Sequence, residues 1–347
     1  MSREFVLSKA DTLEAIRSIN LTGVSFENDV VSGMIFHSVD FSSAKLTNSK
    51  FNDCIFIECK FDNLQASATD FSKSRFQICS LSGALLQRCL IEEASFSSCT
   101  MRATVFESCT AKQFEMMDCD AHEIVLSDLD LAGSNILGTK LEDADFSHSE
   151  LSATVFYELD LGSVNFEGAV LRDVVFSGCV FKGRSFSGQD LSGSQFNESR
   201  IEDVDFSDCT MAMCNFSDSK LKRVSFLDAD GRNTLFVNAE IEESIFSGTI
   251  LDQGIWNGAL VTRSSFASAS LQMVASQKAT FQECAFLGAN MQYADFSYSQ
   301  LHKCSFDDVT LNKTKFHRVL TDSDTIKTSA GAIEKDDELF EAELRSA

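Results

Sequence analysis

Residues 141–176 read LEDADFSHSELSATVFYELDLGSVNFEGAVLRDVVF, and Leu141, Phe146, Leu151, Phe156, Leu161, Phe166, Leu171 and Phe176 recur in them every five residues. Followed outward, the same phase runs from Leu21 to Phe316. It covers 60 positions, of which 55 carry Phe, Leu, Ile, Val, Met or Trp. The exceptions are Ala66, Ala111, Ala121, Gly231 and Ser276. Of 31 Phe, 28 fall on this phase, here termed the centre; Phe5, Phe114 and Phe340 do not. Two residues before the centre the side chain is mostly Ala, Ser, Thr, Cys or Val, and all twelve Cys stand there. Two residues after it Gly is favoured, with 13 of the 17 Gly.

A period of five fits neither an α-helix nor an open strand. It is satisfied when each repeat forms one short side of a coil and then turns a corner. Alternation along the side points the centre and its second predecessor inward, and Gly tolerates the corner backbone. Four sides make a square coil of about 20 residues, and about 15 coils stacked at roughly 4.8 Å make a rod about 70 Å long. Phe and Leu centres alternate, so Phe is expected to stack on Phe along opposite sides. Phe181 interrupts the alternation. Irregular positions near 111–121, 184–189 and 271–278 leave open whether the rod kinks there.

Ala84-Leu85-Leu86, Ala144-Asp145-Phe146, Ala229-Asp230 and Ala294-Asp295-Phe296-Ser297 resemble the A(D/N)LXX pattern of the pentapeptide-repeat family. The resemblance spans roughly residues 16–320 and implies an all-β, right-handed quadrilateral parallel β-helix. This chain is rich in Phe and Cys, where many members are rich in Leu and Ala.

An open β-helix exposes unpaired backbone and core at both ends, so caps are expected. Residues 1–18 read as an N-terminal capping segment, 19–320 as the β-helix, and 321–347 as an acidic loop and helix. A short helix is expected from Ser8 to Arg17, capped by Ser8 or Asp11, with Leu13 and Ile16 on its apolar face. A second is expected from Ala332 to Arg345, with Ile333, Leu339, Phe340 and Leu344 on its apolar side. It serves as a lid on the last coil or as a dimerisation and docking helix; the resemblance allows the latter, since such helices pair subunits in some members.

Little in the chain suggests chemistry. The Cys occupy the small inward position and form no CxxC, so they read as core packing in a reducing cytoplasm. His37, His122, His148, His302 and His317 fall on outward positions. GxGxxG, P-loop, HExxH and GxSxG motifs are absent. Glu142-Asp143, Glu202-Asp203 and Glu242-Glu243 read as a solvated face. Asp29, Arg184 and Gln189 are polar at inward positions; a cap could reach Asp29, and a bulge or a satisfied pair accounts for the other two. No catalytic residue, metal or cofactor is expected.

The surface carries the functional reading. Net charge is −23, which disfavours direct binding to nucleic acid or an anionic membrane and favours basic protein surfaces. No segment has the roughly 18 to 20 consecutive apolar residues of a membrane span, and the first residues lack the layout of a secretory signal. A cytoplasmic protein is expected, exported if at all by a signal-independent route. Residues 115–210 hold 20 acids against five bases. This waist includes Asp118, Asp120, Asp128, Asp130, Glu142, Asp143, Asp145, Asp160, Glu202, Asp203, Asp205 and Asp208. A second feature is a collar of Ile245, Ile250, Ile255 and Leu260, each preceding its centre, where a polar residue is expected. The leading expectation is a non-catalytic protein-binding rod, a scaffold, adaptor or secretion-associated protein, with a homodimer through the C-terminal helix as a further option. The alternative, drawn from the family, is a DNA mimic that protects a type II topoisomerase such as gyrase.

Overall fold

The computed structural model describes residues 3–10, 14–324, 326 and 329–346. Asp11 and Leu13 lie outside the described residues. The chain is a quadrilateral parallel β-helix of about 16 turns with a short helix at each end. It forms two compact units, Met1–Val175 and Phe176–Ala347.

Coil length is fixed by register. In the first unit Phe36 pairs with Phe56 and Phe56 with Phe76, all parallel and 20 residues apart. One side is a sheet running from Ile16–Arg17 through Ile35–His37 and on to Asn135–Leu137 and Val155–Tyr157. Another holds the strands from Ser25–Glu27 to Val105–Glu107. The remaining sides pair through single bridges such as Asn20 with Asp40 and Val30 with Lys50. In the second unit one side is a sheet from Val180–Lys182 to Leu320–Thr321. Its other sides are bridged singly, as Ser185 is with Asp205 and Gln195 with Asn215, until Thr314–Lys315 pairs with Ala332–Ile333 near the end.

The centres build the core as expected. In the first unit Phe36, Phe56, Phe76 and Phe96 stack at 5.1, 4.7 and 4.5 Å between ring centroids. In the second, Phe186, Phe206, Phe226 and Phe246 stack at 5.4, 5.3 and 4.7 Å. On the opposite side Phe196, Phe216, Phe236 and Trp256 stack at 4.9, 5.1 and 4.1 Å. The two columns meet edge to face, as Phe206 meets Phe216 at 6.0 Å. Coil spacing therefore matches the separation at which offset rings attract.

The small inward position does more than make room. The Cys54 thiol donates to the Val31 carbonyl at 3.1 Å, and Cys214 to Leu191 at 3.0 Å. Ser74 and Thr104 hydroxyls do the same to Phe51 and Leu81, at 2.6 and 2.9 Å. A donor here satisfies the carbonyl of a centre in the preceding coil, so Cys, Ser and Thr are interchangeable. All twelve Cys are buried and free; burial pushes the Cys54 thiol up to about 12.

Phe114 departs from the sequence pattern and is explained by volume. It takes a small inward position but is fully buried, with its ring against Phe96 and Phe106 at 5.3 and 5.9 Å. It fills space conceded by the small centres Ala111 and Ala121, a volume-conserving exchange.

Both terminal helices differ from expectation. The first, α1, spans Arg3–Ala10 rather than Ser8–Arg17. Ile16–Arg17 is a strand, with Ile16 paired to Phe36, because Ile16 stands one repeat before Leu21 and belongs to the coil. Ser8 donates to the Phe5 carbonyl inside α1. Asp29 is met by the cap: Arg3 Nε donates to its Oδ2 at 2.7 Å. The second helix, α2, spans Asp337–Ser346. Ile333 is not on it; Ala332–Ile333 is a strand, with Ile333 paired to Lys315. The helix starts later because Asp336 caps it, accepting from the Glu338 and Leu339 amides at 3.0 and 3.2 Å.

Candidate interaction surface

The twelve waist acids lie in both units and on several sides, and most are placed by corner chemistry. Asp130, Asp145, Asp160 and Asp205 directly precede a centre. Each accepts from the amide two residues on, at 3.2, 3.0, 3.0 and 3.0 Å. This Asx turn stabilises the bend and gives the A(D/N)LXX acid its role. Asp118, Asp128, Asp143, Asp203 and Asp208 stand two residues after a centre, at φ from 53° to 58°. Asp tolerates that left-handed region better than most non-Gly residues.

Others are neutralised. Arg102 and His122 both reach Asp120, and His122 Nε2 lies 2.8 Å from Glu142. Lys112 pairs with Asp130 at 3.0 Å. Arg223 holds Glu202 at 2.5 Å and Asp203 at 2.6 Å, which keeps Asp203 below the ordinary carboxylate range. Arg263 pairs with Glu242 and Glu243, and Lys222 with Glu242 at 3.2 Å. The adjacent acids of the second unit thus belong to an alternating charge ladder, a solvated face as expected. The waist acids thus divide into those paired with basic side chains and those that project from corners.

The collar residues occupy the four sides of one coil, so they ring it. Ile245 sits between Ser225 and Ser265, Ile250 between Asp230 and Ser270, and Ile255 between Leu235 and Ala275. Leu260 lies between Glu240 and Thr280. Ile245 and Leu260 are exposed, whereas Ile250 and Ile255 are half-buried. A flat partner would meet one or two of them. Trp256, a centre in the same coil, is buried over Phe236.

At the C-terminus, Glu343 of α2 accepts from Tyr298 Oη at 2.9 Å, Arg318 Nη2 at 2.9 Å and His317 Nε2 at 3.2 Å. Arg318 first, then Tyr298 and His317, hold its carboxyl down at about 2 despite partial desolvation. His317 Nδ1 accepts from the Asp336 amide at 3.1 Å, so Nε2 carries the proton. His317 is therefore buried beneath the cap and not outward as its sequence position implied. Leu339 and Phe340 are half-buried and Leu344 is exposed. Arg184 sits over the Phe186 ring at 5.5 Å, and burial lowers its basicity to about 10. Gln189 is half-buried and accompanies it at the next repeat.

Sequence reading missed the column Met117, Leu137 and Tyr157, which follow successive centres on one side of the first unit. These residues pair in register, and Met117 and Tyr157 are 47% and 43% exposed. The 20-residue spacing was the available signal. Among the described residues no group of three or more His, Cys, Asp or Glu could hold a metal ion. No helix among them is long and apolar enough to cross a membrane.

Comparison with known proteins agrees with the geometry. The pentapeptide repeat region model matches residues 70–146, 138–206 and 185–256. The model of eight-copy pentapeptide repeats matches 34–77 and 277–319. No curated protein matches the sequence. Among solved structures, HetL, a pentapeptide repeat protein involved in heterocyst differentiation regulation from Nostoc sp. strain PCC 7120, is 17% identical. That alignment covers 91% of this chain and 97% of HetL, with a TM-score of 0.21. QnrB1, a plasmid-mediated fluoroquinolone resistance protein, is 19% identical over 59% of this chain and 81% of its own, with a TM-score of 0.27. A mannuronic acid specific polysaccharide lyase from human gut microbiota is 9% identical over 99% and 93%, with a TM-score of 0.25. Scores of this size carry no argument about function. The family models cover most of the coils, and the chain belongs to the pentapeptide repeat family.

Proposed function

We propose that this protein is a non-catalytic binding module, a scaffold or adaptor that engages another protein through its outer sides. One observation supports this above all. Inward positions are spent on the core and many acids on the corners, so contact falls to the side chains that project at regular intervals from short strands. A pull-down with the full chain tests it. A stoichiometric protein partner is expected, and its loss in the 1–320 truncation or in Ile250→Ser/Ile255→Ser would locate the contact. Failure to retain any partner would count against the reading. The C-terminal helix acts first as a lid, and exposed Leu344 is what favours a dimer; sedimentation of the full chain and the truncation decides between them.

A second reading, a DNA-like acidic surface for a basic groove such as that of gyrase, is favoured by corner acids Asp118, Asp128 and Asp143. They project from the first unit, and among the described residues no basic partner appears in its ion pairs for any of the three. A supercoiling assay with and without inhibitor tests it, and no effect at micromolar protein removes it. Twelve buried free thiols support a reducing, cytoplasmic location, which cell fractionation would check.

A further inference from the structure

We propose that one side of the first unit, centred on Met117, Leu137 and Tyr157, docks a short segment of a partner protein in which apolar and basic residues alternate. This rests on the protein-binding reading and assigns it a surface. The side is built from the strands Glu115–Met117, Asn135–Leu137 and Val155–Tyr157. The outward residue after each centre, Met117, Leu137 and Tyr157, forms a continuous apolar column, broadened by half-buried Val155 beside Tyr157. A cavity of about 240 Å³ opens along its near edge, lined by Ser95, Ser97, Glu115, Met117, Asn135 and Leu137.

The middle coil is notched. Gly133 and Gly138 flank its strand at φ +71° and +56°, so neither corner adds a side chain of its own beside Leu137, and the Asp118 carboxylate of the preceding coil lies over Gly138. Met117 and Tyr157 stand above and below that notch. An aliphatic side chain of the partner would pack over Leu137, which lies between them, and an aromatic beside a small pocket is a frequent interface anchor.

Charge selects the occupant. The segments 113–118, 133–138 and 153–158 read QFEMMD, GSNILG and ATVFYE, with three acids and no Lys or Arg. The same side in an earlier coil carries Lys73 and Arg75, and Lys73 pairs with Glu93 at 3.7 Å. The apolar column is therefore rimmed by Glu115, Asp118 and Glu158, and basic residues flanking an apolar anchor complement it.

Fluorescence anisotropy at physiological salt tests this with labelled twelve-residue peptides on the full-length protein. One alternates Lys and Leu, one Lys and Ser, and one Glu and Leu. The Lys/Leu peptide is expected to bind at least tenfold more tightly than Lys/Ser, and Glu/Leu not to bind. Met117→Thr/Tyr157→Thr, which keeps strand propensity and net charge, should weaken Lys/Leu binding at least tenfold. Glu115→Gln/Glu158→Gln should weaken it severalfold and flatten its salt dependence, and Ile250→Ser/Ile255→Ser should leave it unchanged. Circular dichroism verifies that each variant is folded. Equal binding of Lys/Leu and Lys/Ser, no binding to the wild type, or full affinity in the Met117/Tyr157 variant overturns the proposal. A natural partner retained by that same variant would reject this surface while leaving the protein-binding reading standing.

Discussion

Replacing Phe206 with Ala tests the interior directly. Phe206 is fully buried. It stacks on Phe186 and Phe226 at 5.4 and 5.3 Å and meets Phe196 and Phe216 edge-on at 5.7 and 6.0 Å. Removing the ring forfeits about 2–3 kcal/mol of apolar transfer. The neighbours are held by their own coils and cannot close the gap, so a residual cavity of about 60 Å³ adds about 1.5 kcal/mol at ~24 cal/mol per Å³. The sum, about 3–5 kcal/mol, agrees with measured Phe-to-Ala losses in packed cores. Urea titration followed by circular dichroism gives the difference, with Phe206→Leu as a control expected to cost about 1 kcal/mol. A loss below about 1 kcal/mol for the Ala variant, with an unchanged slope, would mean that the stacked rings do not form a packed interior.

Ile78 is β-branched at φ 54° and 62% exposed, so Ile78→Asn should stabilise by about 1 kcal/mol, read as a higher urea midpoint. The lowered pKa of Glu343 makes the α2 dock pH-dependent. Its contribution is complete above the ordinary carboxylate range and is lost as pH falls from about 4.5 towards about 2. Hydrogen exchange across Asp337–Ser346 should accelerate in that window, and Glu343→Gln should remove the pH dependence. Since all twelve thiols are buried, an aromatic disulfide reagent should titrate none in the native protein and twelve in urea.

The fold was legible because the five-residue phase and the inward direction of a side chain are the same fact seen twice. Phe114 was legible only as an exception, since its compensation by Ala111 and Ala121 depends on volumes within a shared coil. The ends were harder to read. Ile16 and Ile333 each suited a helix face by local spacing, but pairing with Phe36 and Lys315 won, a tertiary contact that no local window contains. The acids were legible only in part, for a different reason. Composition counts charge without separating an aspartate that closes a turn, such as Asp145, from one that projects freely. The Met117, Leu137 and Tyr157 column was written in the sequence at intervals of 20, but it emerges only when the residue after each centre is read down one side.

From Ile16 to Thr321 the paired residues of successive turns stand 20 apart, and this makes length a modular quantity. Excising residues 217–236 would join Phe216 to Val237 in phase and set Phe206 beneath Phe246, a ring on a ring, with both lids untouched. Loss of a single residue would instead turn every later side chain out of the interior. Such a molecule grows or shrinks by whole storeys, and the distance between two features on its walls can be adjusted in evolution without redesigning either one.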